Sequence, residues 1–123
     1  ILRYTLTVKN NGQENSINSL LSDQIPANTT YVVSSTRLNG VVVADPAAGI
    51  SPLAAGMLIN APENTTAGFL RADVAPAANN VASITFDVVV NLATVTGTVI
   101  SNQGFFSGAG AGSGVFPQQP SDD

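Results

Sequence analysis

The 123-residue chain contains no cysteine, no histidine and no tryptophan, and charged residues make up only 10% of it. Each absence removes a class of chemistry. Without cysteine there is no disulfide framework to infer, although the redox compartment stays open, because many exported bacterial proteins avoid cysteine altogether. Without histidine or cysteine a serine has no imidazole to activate it, so triad and thiolate mechanisms are excluded. The basic residues, Arg3, Lys9, Arg37 and Arg71, lie far apart in a chain of net charge −4. Counterion release from a phosphate backbone needs clustered cations, so the composition argues against nucleic acid as a partner.

Uninterrupted apolar runs are missing too. The most apolar long window, residues 41–61, carries Asp45, Pro46 and Pro52, which charge and break any spanning helix, so no membrane insertion is expected. Helical periodicity is also lacking: no window of helical length repeats apolar residues at i, i+3, i+4 and i+7. With so few ionic groups, water is met by Thr, Ser, Asn and Gln, and surface salt-bridge networks are not expected.

What is present is strand alternation. Leu2, Tyr4, Leu6 and Val8 share one face of the first segment, with Arg3, Thr5, Thr7 and Lys9 on the other, before Asn11-Gly12 marks a turn. Ile17, Ser19 and Leu21 repeat the pattern up to Asp23, and Thr30 to Ser34 follows a turn at Pro26. Asn39-Gly40 between β-prone flanks predicts a hairpin with positive φ at both turn positions. Weaker segments fall at Met57 to Asn60 and Gly68 to Asp73. In "VASITFDVVVNLA" the pattern turns Ile84, Phe86, Val88 and Val90 inward, with Thr85, Asp87 and Asn91 outward, and "TVISNQGFF" reads as the last strand. The expectation is all-β, a sandwich of about seven strands, over residues 1–106. Residues 107–123 read as a Gly/Pro-rich connector to a following module: "SGAGAGSG" as a flexible loop or strand end, then the Pro-stiffened "VFPQQPSDD". Because the first residues already read as a strand, the chain is expected to begin inside a longer precursor.

Other chemistry is sparse. Asp23, Asp45, Asp73 and Asp87 are scattered rather than paired for acid and base work, and Asp87 reads as a solvated surface acid. Asp122-Asp123 offers two oxygen ligands, against the six to eight that calcium takes, so hydration is the simpler reading and no metal or cofactor is assigned. The glycines of "GAGAGSG" lack the Lys and helix of a phosphate loop. Two sequons, at Asn28 and Asn64, sit where turn chemistry by itself accounts for Asn and Thr. Parity turns three polar side chains inward, Asn10, Asp23 and Asn102. Buried polar groups need partners, and these are expected to bond loop backbone at the ends of the sandwich.

Taken in order, "YTLTVKNNG", "LSDQIPANTTYV", "ISNQGF" and "PSDD" resemble the bacterial and archaeal conserved repeat domain known as domain of unknown function eleven. Its members read Tyr-x-hydrophobic-x-Val-x-Asn-x-Gly near the start, and the likeness spans nearly the whole chain. Family copies usually carry a Gly-Asp-type turn before the first strand, which this chain lacks. The resemblance implies an immunoglobulin-like sandwich, repeated in tandem on large secreted or cell-surface proteins, with scaffolding or adhesion rather than catalysis. It implies an extracellular or cell-surface location, with neighbouring copies as partners in a stalk or a homopolymeric filament. The alternative is an adhesin module binding a glycan or host protein. Related surface folds also use Lys-to-Asn isopeptide crosslinks, for which Lys9, Asn102 and Asp23 are the residue types in place. Parity opposes that reading, because Lys9 faces outward unless the strand bulges.

Overall fold

The computed structural model describes residues 1–72 and 77–122, with residues 77 and 78 as backbone only. Two antiparallel sheets pack face to face as a β-sandwich. The strands are β1 (Leu2–Lys9), β2 (Ser16–Asp23), β3 (Thr29–Tyr31), β4 (Arg37–Leu38), β5 (Val41–Val42), β6 (Met57–Leu58), β7 (Val81–Val90), β8 (Gly104–Gly110), β9 (Gly114–Val115) and β10 (Gln119–Pro120). The first sheet is ordered β1-β7-β4-β5, with β3 also on β7, and the second β10-β8-β2-β6, with β9 also on β8. Five of these strands have only two residues, which is why the expected seven becomes ten.

β7 organises the first sheet. It pairs along its length with β1, from Leu2↔Val88 to Lys9↔Val81, and on its other edge with β4 and then β3. Its alternation puts Ala82, Ile84, Phe86 and Val88 wholly inside, where they meet Leu21, Leu53, Ile59 and Leu70. Tyr4 stacks on its cross-strand partner Phe86 with ring centroids 5.4 Å apart. Val90, expected inside, is exposed. On the outer face Arg3 clasps Asp87 with two bonds, Nε to Oδ1 at 2.7 Å and the terminal nitrogen to Oδ2 at 3.0 Å. Asp87 is therefore an ion-pair partner, and Arg3 holds its carboxyl below the usual range.

Turn chemistry follows the sequence closely at one hairpin. Asn39 (φ 51°) and Gly40 (φ 83°) join β4 to β5. Asn39 also docks that hairpin, accepting from Ser83 N at 3.0 Å and donating to the Asn60 carbonyl at 2.7 Å.

Elsewhere the backbone departs from simple alternation. β2 bulges between Ile17 and Leu20, where Asn18 takes φ 52°, so Ser16 is buried in place of Ile17, while Ser19, Leu21 and Asp23 keep the inward face. The buried Ser16 and Ser19 hydroxyls bond each other across the bulge at 2.7 Å. The segment 98–103, expected as strand, is irregular, and pairing starts at Gly104. Leu70 makes a single bridge to Ser16 in place of the strand expected over 68–73, whose Asp73 lies outside the described residues.

The connector expected from residue 107 is the largest departure. β8 runs through to Gly110 against β2, and the chain then reverses and returns along the free edge of β8 as β9 and β10. Small side chains permit this: a Cβ at Gly108 would lie 3.1 Å from the Phe116 ring and 3.2 Å from the Ile17 carbonyl. Glycine there lets three segments of chain approach at once.

Burial of the inward face is uneven, which gives a measurable contrast. Leu21 is 2% exposed, whereas Leu6 on β1 is only half-buried. Leu21→Ala is expected to cost about 2–5 kcal/mol, and Leu6→Ala roughly half as much, by denaturant unfolding of the two variants side by side.

Candidate functional site

The inward polar residues gather into two clusters. At one, Asn10 closes the turn after β1: its Oδ1 accepts from Gly12 N at 2.9 Å, and its Nδ2 donates to the carbonyls of Glu14 and Leu70, each at 3.0 Å. Asn15 works alongside, accepting from Ala72 N at 2.9 Å.

At the other cluster, Asp23 ends β2 and Asn102 precedes β8, so the β2–β8 ladder brings them together. Asn102 Nδ2 donates to Asp23 Oδ2 at 2.8 Å. Asp23 is 1% exposed, and the remaining oxygens, Asp23 Oδ1 and Asn102 Oδ1, are both buried without a partner among the described residues. Burial pushes the Asp23 carboxyl above its ordinary value, against the opposing pull of the Asn102 amide. A protonated acid facing a carboxamide can close a two-bond ring, the amide N–H to one oxygen and the acid O–H to the amide oxygen, which supplies partners for both orphans.

Of the three residues of the crosslink reading, the fold unites Asp23 and Asn102 but leaves Lys9 out. Lys9 is exposed at the end of β1, opposite Val81. Leu6 is the β1 side chain near the pair: a Cβ on Gly104 would lie 3.1 Å from Leu6 Cδ2 and 3.6 Å from Asp23 Oδ2. No bulge in β1 turns Lys9 inward, since its register with β7 is unbroken. A buried neutral amine, which attack on Asn102 requires, is not provided. The sequons also separate. Asn28 is exposed in a turn (φ 67°). Asn64 is buried, and its amide, in the orientation that satisfies both its atoms, donates to the carbonyls of Phe69 (3.0 Å) and Asn79 (2.8 Å). A glycan on Asn64 would break that arrangement.

One feature was not legible in the sequence. β1 edges the first sheet, and the returning C-terminal segment edges the second. Between them runs a seam of three successive cavities along β1, of about 300, 300 and 210 Å³. Leu6 and Ser121 line both the first and the second; Val8, Lys9 and Phe106 line both the second and the third. The half-buried Tyr4, Leu6 and Val8 owe their exposure to this side. At the upper end the turn after β8 wraps the Glu14 carboxylate, which accepts from Gly112 N at 3.1 Å and from Ser113 Oγ. The Ser113 hydroxyl and the backbone N–H groups hold the Glu14 carboxyl below its usual range. Among the described residues no three His, Cys, Asp or Glu side chains gather to hold a metal ion.

Comparison with known proteins returns no family model, no curated protein and no solved structure that matches the chain.

Two measurements follow. A carboxyl whose folded pKa is raised costs nothing below its unfolded value and its full amount above the folded one, so the Asp23 penalty grows as pH rises from about 3.9. Asp23→Asn is therefore expected to stabilise the protein at pH 7 by on the order of 1 kcal/mol, as its amide reaches the orphaned Asn102 oxygen, with the advantage shrinking as pH falls toward about 4. Glu14 and Asp87, both lowered, act with the opposite sign: their contributions are complete above the unfolded values and are lost as pH falls through the folded ones. Intact mass is expected to equal the sequence mass, and a deficit of about 17 Da, the ammonia lost in forming an amide, would show Lys9 joined to an asparagine.

Proposed function

We propose that the chain is a non-enzymatic structural module of a large secreted or cell-surface protein, a stalk spacer or filament-forming unit set beside neighbouring copies of itself. The observation that carries this reading is where the polar side chains go. Asn10, Asn15, Asn39, Asn60 and Asn64 all bond backbone of turns and loops. Groups tied to loop backbone are scaffold, holding the ends of a sandwich rigid, and they are not free to hold a reacting substrate. The immunoglobulin-like family resemblance supports the same reading, as does a surface of few charges and many Thr and Asn side chains.

A second reading, an adhesin module for a glycan or host protein, draws on one feature. Phe106 and Phe116 stack at 5.7 Å beside the 210 Å³ cavity, where Lys9, Asn11 and Glu14 supply polar groups. Aromatic faces next to such groups suit sugar rings. A glycan array separates the two readings, since the spacer reading expects no binding above background.

The module reading is tested with one, two and four copies joined in tandem. A thermal midpoint within about 2 °C across the series, with maximum dimension by small-angle scattering rising with copy number, is the expected result. A midpoint that falls as copies are added, or a dimension that stays constant, rejects it.

A further inference from the structure

The segment after β8 has the build of a detachable strand. The chain reverses over Ala111–Ser113 and runs back along the edge of β8, with Gly114–Val115 against Ala109–Gly110 and Gln119–Pro120 against Phe105–Phe106. Between these pairs Phe116 N donates to the Gly108 carbonyl at 3.3 Å, and the Phe116 ring lies over Gly108 and stacks on Phe106. At the far end Ser121 N donates to the Gly104 carbonyl at 2.8 Å, and Gly104 N donates to Ser121 Oγ at 2.9 Å. Every one of these contacts is made to β8. Toward β1 the arm faces the open seam, and Val115 is 88% exposed.

We infer that this arm is exchanged between copies: residues 114–121 of one molecule lie along β8 of a second copy, with Phe116 seated over that copy's Gly108. The complementarity already exists, because the trans contacts are the cis contacts made by the same residues. A swap then costs only the opening of the turn and the loss of independence of two molecules. The turn is suited to opening, being three small residues held by the exposed Glu14 carboxylate and by one backbone bond, Ala111 N to the Asn15 carbonyl at 2.9 Å. Strand addition at a free edge supplies main-chain bonds, and the Phe116 seat supplies specificity. A molecule that donates its arm leaves its own β8 edge free for the next copy. The exchange is therefore heterologous and propagates into an open chain unless two copies close on each other. This deepens the module reading by naming the joint between copies, and rests on it only for the setting.

The lack of native cysteine makes a direct test possible. Phe105 and Pro120 are Cα partners across the β8–arm ladder, a separation that a disulfide spans. The full chain carrying Phe105→Cys and Pro120→Cys is incubated reduced over about a hundredfold range of concentration, then oxidised and run on a non-reducing denaturing gel. Exchange is expected to give internally bridged monomer when dilute, and covalent species beyond the dimer that grow with concentration. Each single-cysteine control stops at a dimer. Glu14→Ala added to the pair removes a contact that only the closed turn makes, and is expected to increase the ladder relative to bridged monomer several-fold. Bridged monomer alone across the whole range overturns the inference, as does a ladder that Glu14→Ala leaves unchanged. Should the double variant fail to fold, light scattering of the unsubstituted chain decides: mass rising with concentration and raised further by Glu14→Ala supports exchange, and monomer throughout or a mass that Glu14→Ala leaves unchanged overturns it. Either negative result leaves the module reading to its tandem series.

Discussion

The inward row of β7, Ala82, Ile84, Phe86 and Val88, is the constraint on which the rest of this protein depends. All four are fully buried, and the backbone between them pairs on one side with β1 and on the other with β4 and β3. Strand alternation allows one face to be apolar and the other to carry Asp87, which pairs with Arg3 on the neighbouring strand. Removing Phe86 would open the core at the point where Tyr4 of β1 stacks on it.

The second sheet is held differently. β2 meets β8 through a ladder interrupted by a bulge, and β8 is rich in glycine. Small residues contribute little apolar burial, yet they let strands, bulge and arm come close. Leu21 of β2, Met57 of β6 and Phe106 of β8 supply the sheet's large side chains to the core, while along β8 it is held largely by close approach and hydrogen bonding. The same property leaves the side facing β1 unfilled, and the seam is the result. Low charge density fits this economy, with asparagine amides doing at the loops what ion pairs do in other proteins.

Asp23 and Asn102 differ from the loop-bound asparagines, because their bond is side chain to side chain and buried at the Asp23 end. It ties the end of β2 to the segment entering β8, at the lower end of the seam. With Glu14 at the upper end, two carboxylates bracket β8, one raised by burial and one lowered by its donors. The strand that receives the arm is thus anchored at both ends by groups that respond to acid in opposite senses.

Sequence alone determined the all-β class, the inward faces of β1 and β7 except at their exposed ends, Leu2 and Val90, the Asn39-Gly40 hairpin and the inward placement of Asp23. All of these rest on local periodicity or turn stereochemistry, in which a residue's neighbours in the chain decide its conformation. Asn10 was legible as a loop-fixing side chain for the same reason, whereas the Asp23–Asn102 pairing joins residues 79 positions apart and shows in sequence only as two matching parities. Tertiary structure decided the rest. The bulge that exchanges Ile17 for Ser16 depends on Gly68 and Gly108 approaching from elsewhere in the chain. The Arg3–Asp87 pair and the burial of Asn64 depend on contacts that no window contains. The C-terminal arm is the clearest case: glycine, alanine and proline carry little strand propensity, so residues 107–123 read as a connector. The free edge of β8 supplied the hydrogen-bond partners that propensity did not.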